Sequence, residues 1–526
     1  MPQNPQNRNK KLTSSRVKAN TKGNDSLKPL SSSKKEAINS LKSFGQSSSQ
    51  SREIISPQAI ADKIAQAEKS ASSSGEDANQ PPLSYAASQR LARERRLLHK
   101  DQQLLNGEHW LARNGHTFTY IGIFLFTFTL YFRPYELISA LSDFSSMAFI
   151  IAIATLLIYL PTQLSTEGSL SAFPIEIKCV LFLAVWAVLT IPIAKDPSLA
   201  WTKYSGEFIK VVIIFVIMVN TLRTKSRLKG LMLLSISVGI MLSYQALVLY
   251  QKGEFKTEGY RVSVDFGGMF RNPNDMALHL VIITPIAFIL GLVSKNKIFK
   301  FFYFAAAIMM IIGIMVTQSR GAFLGLVAVG AILVWKLARN NRRRAVVISS
   351  SIALFLLIAA PGNYSLRILS IFVPSLDPNG SSSERTELLK QSILVTLRNP
   401  LGIGFSNFPI VGVRNLETHN AYTQVSSELG WLAFIAYLIL LVSPLRKLGA
   451  IERRMFTRED FSWIYYLSIG LQASIVAYMV SSFFAPVAYQ WYVYYIIAYA
   501  VCLQRLYQVG QAEKEFGTGA ESKLIT

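Results

Sequence analysis

The feature that most constrains this chain is a series of long apolar runs that begins near Phe118 and continues almost to the C-terminus. A helix needs roughly 17–25 predominantly apolar residues to cross a membrane. By that measure we predict about twelve membrane-spanning helices, near residues 117–132, 146–162, 176–193, 207–222, 229–250, 276–294, 299–317, 321–337, 345–361, 422–443, 462–485 and 488–506. Because backbone polar groups must be satisfied internally within lipid, such a chain folds as an all-α polytopic membrane protein.

The composition agrees with this interpretation. Hydrophobic residues make up 51% of the 526 residues and charged residues only 16%, which is too apolar for a soluble protein of this size. The net charge of +23 does not indicate nucleic-acid binding, because the basic residues lie in the N-terminal tail and in short loops. The only cysteines, Cys179 and Cys502, lie in apolar runs without metal-ligand spacing, so we expect neither a disulfide nor a cysteine metal site.

The loops predict an orientation. Arginine and lysine are concentrated in every second loop, as is typical of the cytoplasmic side of a membrane protein. These basic loops are Arg223–Arg227, Lys295–Lys297, Arg339–Arg344 and Arg446–Arg458. We therefore predict that both termini are cytoplasmic and that the alternate loops lie on the opposite side.

The chain divides into three parts by composition. Residues 1–110 are basic and rich in Ser, Gln, Asn and Lys, and we predict a disordered cytoplasmic tail. Within it, residues 83–106 are equally compatible with a basic helix on the membrane surface or a solvated segment. Residues 117–506 form the predicted membrane domain, and residues 507–526 a short cytoplasmic tail.

One long loop, residues 361–422, interrupts the apolar runs. It contains the polar run Asp377–Ser383, an amphipathic segment Glu384–Arg398, and the irregular stretches Asn399–Gly404 and Thr418–Tyr422. Long loops in otherwise compact proteins commonly carry function. We predict that this loop is periplasmic, carries its own helix and forms the working surface of a membrane enzyme.

Several cationic side chains are expected on the same side as this loop. They are Arg261 and Arg271 after the fifth apolar run, Arg320 between the seventh and eighth runs, Arg385 in the amphipathic segment, and His419 at the end of the long loop. Each also has a structural explanation. The arginines could be loop charges or reach the lipid headgroups, His419 could bond a backbone carbonyl, and Asn272–Asp275 has the composition of a helix cap.

Taken in order, five short motifs resemble the successive signatures of the O-antigen ligase and Wzy-type polymerase superfamily. They are Gly267–Asn274 preceded by Arg261, Ser319–Ala322, Asn399–Gly404, His419–Tyr422 and Glu428–Gly430. The resemblance covers roughly residues 120–505, and the family also has about twelve spans and a large periplasmic loop before the histidine. Arg271 departs from the pattern, because many such proteins have a small residue there.

The resemblance implies glycan transfer at the periplasmic face of a bacterial inner membrane, from a polyprenyl-diphosphate-linked donor to a hydroxyl of a glycan or lipid A-core acceptor. Arg261 and Arg320 would stabilise the diphosphate leaving group, and His419 would be the general base. The remaining expected substrate-binding residues are Arg271, Arg385, Asn274 and Asn420. We expect inversion at the anomeric carbon without cofactor or metal, although Asp265 and Glu384 are acidic candidates for a metal site.

Other functions remain open at this point. The motifs do not separate a polymerase from a ligase, although the form of the His419–Tyr422 motif slightly favours a polymerase of an O-antigen or exopolysaccharide pathway. A chain-length regulator is a candidate partner of the tail. A transporter of small anions such as bicarbonate could line its pathway with the same arginines. A membrane scaffold would explain the basic tail but not the cationic side chains.

Overall fold

The computed structural model describes residues 110–137, 146–167, 169–255, 259–264, 270–339, 341–358, 364–370 and 381–525. In these ranges the chain is helical, with short 3-10 and π turns and no β-strand. The N-terminal tail up to residue 109, residues 265–269 at the start of the Gly267–Asn274 motif, and residues 371–380, which include the first part of the polar run Asp377–Ser383, lie outside the described residues, so the predictions for them stay predictions.

Fourteen helices longer than four residues occur in the described ranges. They are α1 Trp110–Phe132, α2 Met147–Glu167, α3 Ile175–Leu189, α4 Pro197–Thr221, α5 Lys225–Gln251, α6 Pro273–Val293, α7 Lys297–Thr317, α8 Arg320–Leu337, α9 Arg342–Ile358, α10 Tyr364–Leu369, α11 Ser381–Arg398, α12 Ala421–Thr457, α13 Trp463–Ser481 and α14 Trp491–Ile525. All twelve predicted spans coincide with a helix, and α10 and α11 lie in the long loop. The amphipathic segment predicted at 384–398 is helix α11.

Eight of the described helices are long and apolar enough to cross a membrane, namely α2, α4, α5, α6, α7, α8, α12 and α13. The expected number of about twelve is therefore not confirmed. Of the other four helices at predicted positions, α3 has 15 residues and α9 has 17, which is short for a span. The all-helical, multi-pass architecture is confirmed, and the orientation stays a prediction.

Helix α6 lies at the centre of the bundle. Within its apolar stretch 78% of the residues are buried, compared with 22% in α2 and in α8. It packs against α7 and α13, and α13 packs in turn against α8. A helix that is apolar on all sides is stable in the middle of a membrane protein, whereas the exposed apolar faces of α2 and α8 are suited to lipid.

Polar caps fix the helix ends that meet at one end of the bundle. The side chain of Asn272 accepts a hydrogen bond from the amide of Asn274 at the start of α6, as the sequence predicted. Ser319 caps α8 directly after Gln318, which has a left-handed backbone (φ 54°) and closes the turn from α7. Asn420 caps α12 by accepting from two amides. Three helices, α6, α8 and α12, thus begin with capped N-termini.

Close backbone packing explains the glycines of two sequence motifs. Gly402, Gly404 and Gly430 all have positive φ, and the amide of Gly404 donates to the carbonyl of Glu428 (2.9 Å). A Cβ atom at Gly430 would lie 2.2 Å from the carbonyl oxygen of Pro400. Only glycine therefore fits this contact, in which the loop after α11 lies against a kink in α12. We call this contact the glycine seam.

Candidate active site

Four of the seven predicted site residues line one cavity of about 320 Å³. Arg320 comes from the start of α8, Arg385 from the first turns of α11, and His419 and Asn420 from the segment that leads into α12. Apolar side chains, including Phe483 after α13, form other parts of the wall. The cavity is the size of a small-ligand site, and most of the residues that line it are polar or charged.

Arg320 is the first residue of α8, so its cationic side chain adds to the positive end of the helix dipole. The side chain is partly buried, and the hydroxyl of Ser319 accepts from the amide of Ala322 (3.4 Å) in the cap beside it. The positive end of a helix dipole and a guanidinium group both attract anions. This wall of the cavity therefore favours a negatively charged ligand.

Arg385 faces the cavity from α11 and is also partly buried. Its neighbour Glu384 forms an ion pair with Arg414 (3.0 Å), whose side chain is 78% exposed. Arg385 is close enough to His419 to affect its protonation. Two cationic side chains from different helices, Arg320 and Arg385, thus line the same cavity as the histidine.

His419 has a left-handed backbone conformation (φ 50°), which is uncommon for a residue with a side chain and is frequent at functional sites. Thr418 stabilises the turn by donating from its hydroxyl to the carbonyl of Asn420 (3.0 Å). Burial, followed by the positive charge of Arg385, lowers the pKa of His419 from 6.5 to about 4, and Glu384 opposes this change. The imidazole is consequently neutral at pH 7 and able to accept a proton.

Arg261 and Asn274 lie outside this cavity wall, in a buried network beside it. Arg261 is only 2% exposed; its Nε donates to the carbonyl of Thr317 (3.0 Å) and its Nη2 to Oδ1 of Asn274 (2.7 Å). Ser319, the cap of α8, donates to the same Asn274 oxygen (2.9 Å). This network joins the end of α7 to the starts of α6 and α8. Arg261 thereby holds the helix end that carries Arg320.

The remaining predicted residue, Arg271, is exposed just before α6 and is not among the residues that line the cavity. Among the described residues, no group of three or more His, Cys, Asp or Glu side chains is arranged to hold a metal ion. Asp265 lies outside the described residues, so the expectation of metal-independent chemistry is not tested.

The sequence analysis missed Arg367, a cation in α10. Its side chain is buried, lies over the ring of Tyr260 (5.3 Å) and hydrogen-bonds the Tyr260 hydroxyl. The neighbouring Tyr364 donates to the carbonyl of Ser319 (3.4 Å); burial raises the pKa of that tyrosine, and Arg261 and Arg367 partly oppose this increase. The signal for Arg367 that the sequence offered was a single arginine within the mainly apolar run 364–373.

A carboxyl group was also missed. Glu417 is two residues before His419 and is solvent-exposed, yet surrounding protein raises its pKa by desolvation, Lys203 lowers it and Glu207 raises it further. Asp275 on the first turn of α6 is also within electrostatic range of Glu417. Carboxylates accept hydrogen bonds from hydroxyl groups.

A search of curated proteins finds no match to the chain. Residues 305–438 match the family model described as O-antigen ligase, or Wzy_C. The matched segment contains Arg320, Arg385, His419 and Asn420, whereas Arg261 precedes it. The match confirms the resemblance found in the sequence: in this multi-pass membrane protein, residues 305–438 carry a domain of the O-antigen ligase and Wzy-type family.

Proposed function

We propose that the protein is a membrane glycosyltransferase that moves a glycan from a polyprenyl diphosphate to a hydroxyl group of an acceptor sugar. The observation that carries this proposal is that Arg320, Arg385 and His419 line one cavity of about 320 Å³. Two guanidinium groups can bind a diphosphate by charge-assisted hydrogen bonds, and a neutral imidazole can accept the proton of a hydroxyl nucleophile. The polyprenyl chain would remain in the bilayer beside the helices.

The arginines act on the leaving group. As the bond between the anomeric carbon and the diphosphate oxygen breaks, negative charge increases on that oxygen. Arg320 and Arg385 stabilise this charge, and a hydrogen bond to a charged group contributes about 1.5–3 kcal/mol. The N-terminal end of α8 adds its dipole at the same place. Arg261 supports this role indirectly, because it anchors Ser319 and Asn274 behind Arg320.

His419 acts on the acceptor. Its neutral imidazole takes the proton of the acceptor hydroxyl while the hydroxyl oxygen attacks the anomeric carbon from the side opposite the diphosphate, which inverts that centre. A bound diphosphate also offsets the charge of Arg385, one of the causes of the low pKa of His419. Donor binding thus makes His419 a stronger base at the stage when it is needed.

The acceptor and cellular setting follow from the same assignment. Glu417 lies two residues before His419 in the chain, and its carboxylate is suited to accept hydrogen bonds from sugar hydroxyl groups. We propose that the cavity lies on the periplasmic side of a bacterial inner membrane and that both termini are cytoplasmic. The polymerase reaction is the first to test. Lipid A-core is the acceptor if the protein is instead a ligase, and a chain-length regulator is the partner to test with a polymerase.

A transporter of small anions is less well supported. Another cavity beside α8, with a volume of about 610 Å³, is lined mainly by apolar side chains such as Phe288, Leu326 and Val334. Among the residues that the structure describes, only a minority of this lining is polar or charged, including Arg342, Ser349 and Ser350, so the surface offers a charged solute few compensating contacts.

The test is glycan profiling of a deletion strain complemented with wild type, His419→Ala, Arg320→Ala or the control Arg414→Ala, at matched membrane levels. Removal of a general base costs about 10²–10⁴ in rate, so His419→Ala should leave little product. Arg414 is exposed outside the cavity lining, and its variant should resemble wild type. Single repeat units on the acceptor identify a polymerase, and long chains on the lipid carrier identify a ligase. Normal glycan from both site variants would refute the proposal.

A further inference from the structure

A second charged cavity, of about 260 Å³, lies at the end of the bundle opposite His419. It is formed where α6 ends and where α5, α7 and α13 begin. The opposite ends of α6 and α7 hold Asn274 and Thr317, which belong to the network beside the candidate active site. The two sites are therefore separated by the length of these helices, and we call this one the lysine cavity.

The lysine cavity is cationic. Lys225, Lys229 and Lys295 line it, and the residues that form its wall include no carboxylate. The ammonium group of Lys225 lies 4.9 Å from the ring centre of Trp463, which also lines the cavity. Asn296 caps α7 by accepting from the amide of Ile298 (2.8 Å), so a helix N-terminus is directed at the same place. These groups together favour an anion.

The floor of the lysine cavity is apolar and belongs to the protein core. Leu228, Met232 and Ile289 line it and are at most 1% exposed. At the rim, Phe299 also lines the cavity but is 56% exposed, and Ile298 beside it is 77% exposed. Exposed apolar side chains on a membrane helix face lipid, so the cavity opens toward the bilayer. Its ligand must combine a negative charge with an apolar part.

We propose that the lysine cavity binds the headgroup of an anionic phospholipid. The phosphate contacts the three lysines, and the acyl chains leave past Phe299 into the bilayer. Trp463 has the amphipathic ring that is typical of the membrane interface. A free phosphate ion would satisfy the lysines but not the apolar floor. On the orientation predicted from the loop charges, the lipid comes from the cytoplasmic leaflet, where anionic lipids attract basic segments.

This lipid would act on the whole bundle. It contacts α5, α6, α7 and α13 at one end, and α6 and α7 carry the anchoring residues of the candidate active site at the other. A ligand that binds only the folded state stabilises that state by an amount that grows with the logarithm of the ligand concentration above its Kd. The proposal does not depend on the reaction assigned to His419, so either can fail without the other.

The test measures lipid binding to the purified full-length protein in neutral detergent, by native mass spectrometry and by thermal unfolding, with phosphatidylglycerol, phosphatidylcholine and inorganic phosphate as ligands. The variant K225Q/K229Q removes two cavity lysines that are one helical turn apart. The control K297Q/K300Q removes the same charge from α7 at positions outside the cavity lining. A juxtamembrane lysine contributes roughly fivefold to anionic lipid affinity, so K225Q/K229Q should lose about 25-fold for phosphatidylglycerol.

The outcomes separate the alternatives. Preference for phosphatidylglycerol that is lost in K225Q/K229Q and kept in K297Q/K300Q supports the proposal. Equal losses in both variants indicate general surface attraction and overturn it, as does equal binding of phosphatidylcholine. Stabilisation by inorganic phosphate alone points to a soluble anion and also overturns it. If K225Q/K229Q is unstable, Val293→Trp, which fills the cavity without changing its charge, should abolish lipid retention.

Discussion

The protonation of His419 gives the sharpest test of the candidate active site. The pKa of His419 falls from 6.5 to about 4, with burial as the first cause and Arg385 as the second. Since burial accounts for the larger part of this decrease, Arg385→Gln should raise the pKa by about one pH unit, the lower end of the usual effect of a neighbouring charge. Glu384 has the opposite effect, so Glu384→Gln should lower the pKa.

These changes appear in the pH dependence of kcat/KM, which reports the free enzyme. A general base is active when deprotonated, so activity is present above the pKa of His419 and is lost as the pH falls through it. The acid limb should lie near pH 4 in wild type, near pH 5 in Arg385→Gln, and lower than wild type in Glu384→Gln. Transfer from a synthetic polyprenyl-diphosphate donor by protein in nanodiscs provides the assay.

Two results would refute this reasoning. An acid limb that stays in place in Arg385→Gln means that Arg385 does not act on the base. If the acid limb moves in the same direction in Arg385→Gln and Glu384→Gln, the charges of these two residues do not control the pKa that it reports. Arg414→Gln is the matched control, because Arg414 pairs with Glu384 but does not line the cavity. This variant loses a surface contact and changes no residue of the cavity lining.

Two further predictions concern residues that support the site. Arg261→Met leaves the buried Thr317 carbonyl and the Asn274 oxygen without their charged donor. Because hydrogen bonds to charged groups contribute about 1.5–3 kcal/mol each, the melting temperature and the glycan yield should both fall. An unchanged melting temperature would contradict the anchoring role. Gly430→Ala should abolish folded protein at the membrane, because an added Cβ atom would lie 2.2 Å from a backbone oxygen. The control Gly330→Ala should be tolerated, because a Cβ atom there meets nothing within 4 Å. Size-exclusion chromatography of the solubilised fraction measures both outcomes.

Much of the fold follows from the length and spacing of apolar runs. A helix occupies each of the twelve predicted positions, because membrane helices satisfy their own backbone and depend little on distant residues. The helix at Ser381–Arg398 and the cap at Asn272 were predicted for the same local reasons. The number of helices that cross the membrane was less predictable, since short helices such as α3 and α9 resemble spans in composition but not in length.

The candidate site was predictable in its residue types and less so in its geometry. Sequence motifs indicated Arg320 and His419, and the amphipathic segment supplied Arg385; the three residues share a cavity. They could not separate these residues from Arg261, whose partner Thr317 is 56 residues away in the chain. Glu417 was missed because an acidic residue in a polar loop has no distinguishing local pattern. Lys203 on α4 and Asp275 on α6 are within electrostatic range of it, and only tertiary packing brings these helices near it.

The glycine seam has a mechanical consequence. It fixes the chain after α11 to α12 through backbone contacts, and Thr396 and Ser426 join the same two helices by a hydroxyl hydrogen bond (2.9 Å). Arg385 on α11 and His419 before α12 are therefore attached to one rigid unit, whereas Arg320 belongs to the hairpin of α7 and α8. We expect that entry of a bulky lipid-linked glycan into the cavity would move α11 and α12 away from the hairpin of α7 and α8. Spin labels across α8 and α11 should report the movement, while labels across α11 and α12 stay at a fixed distance.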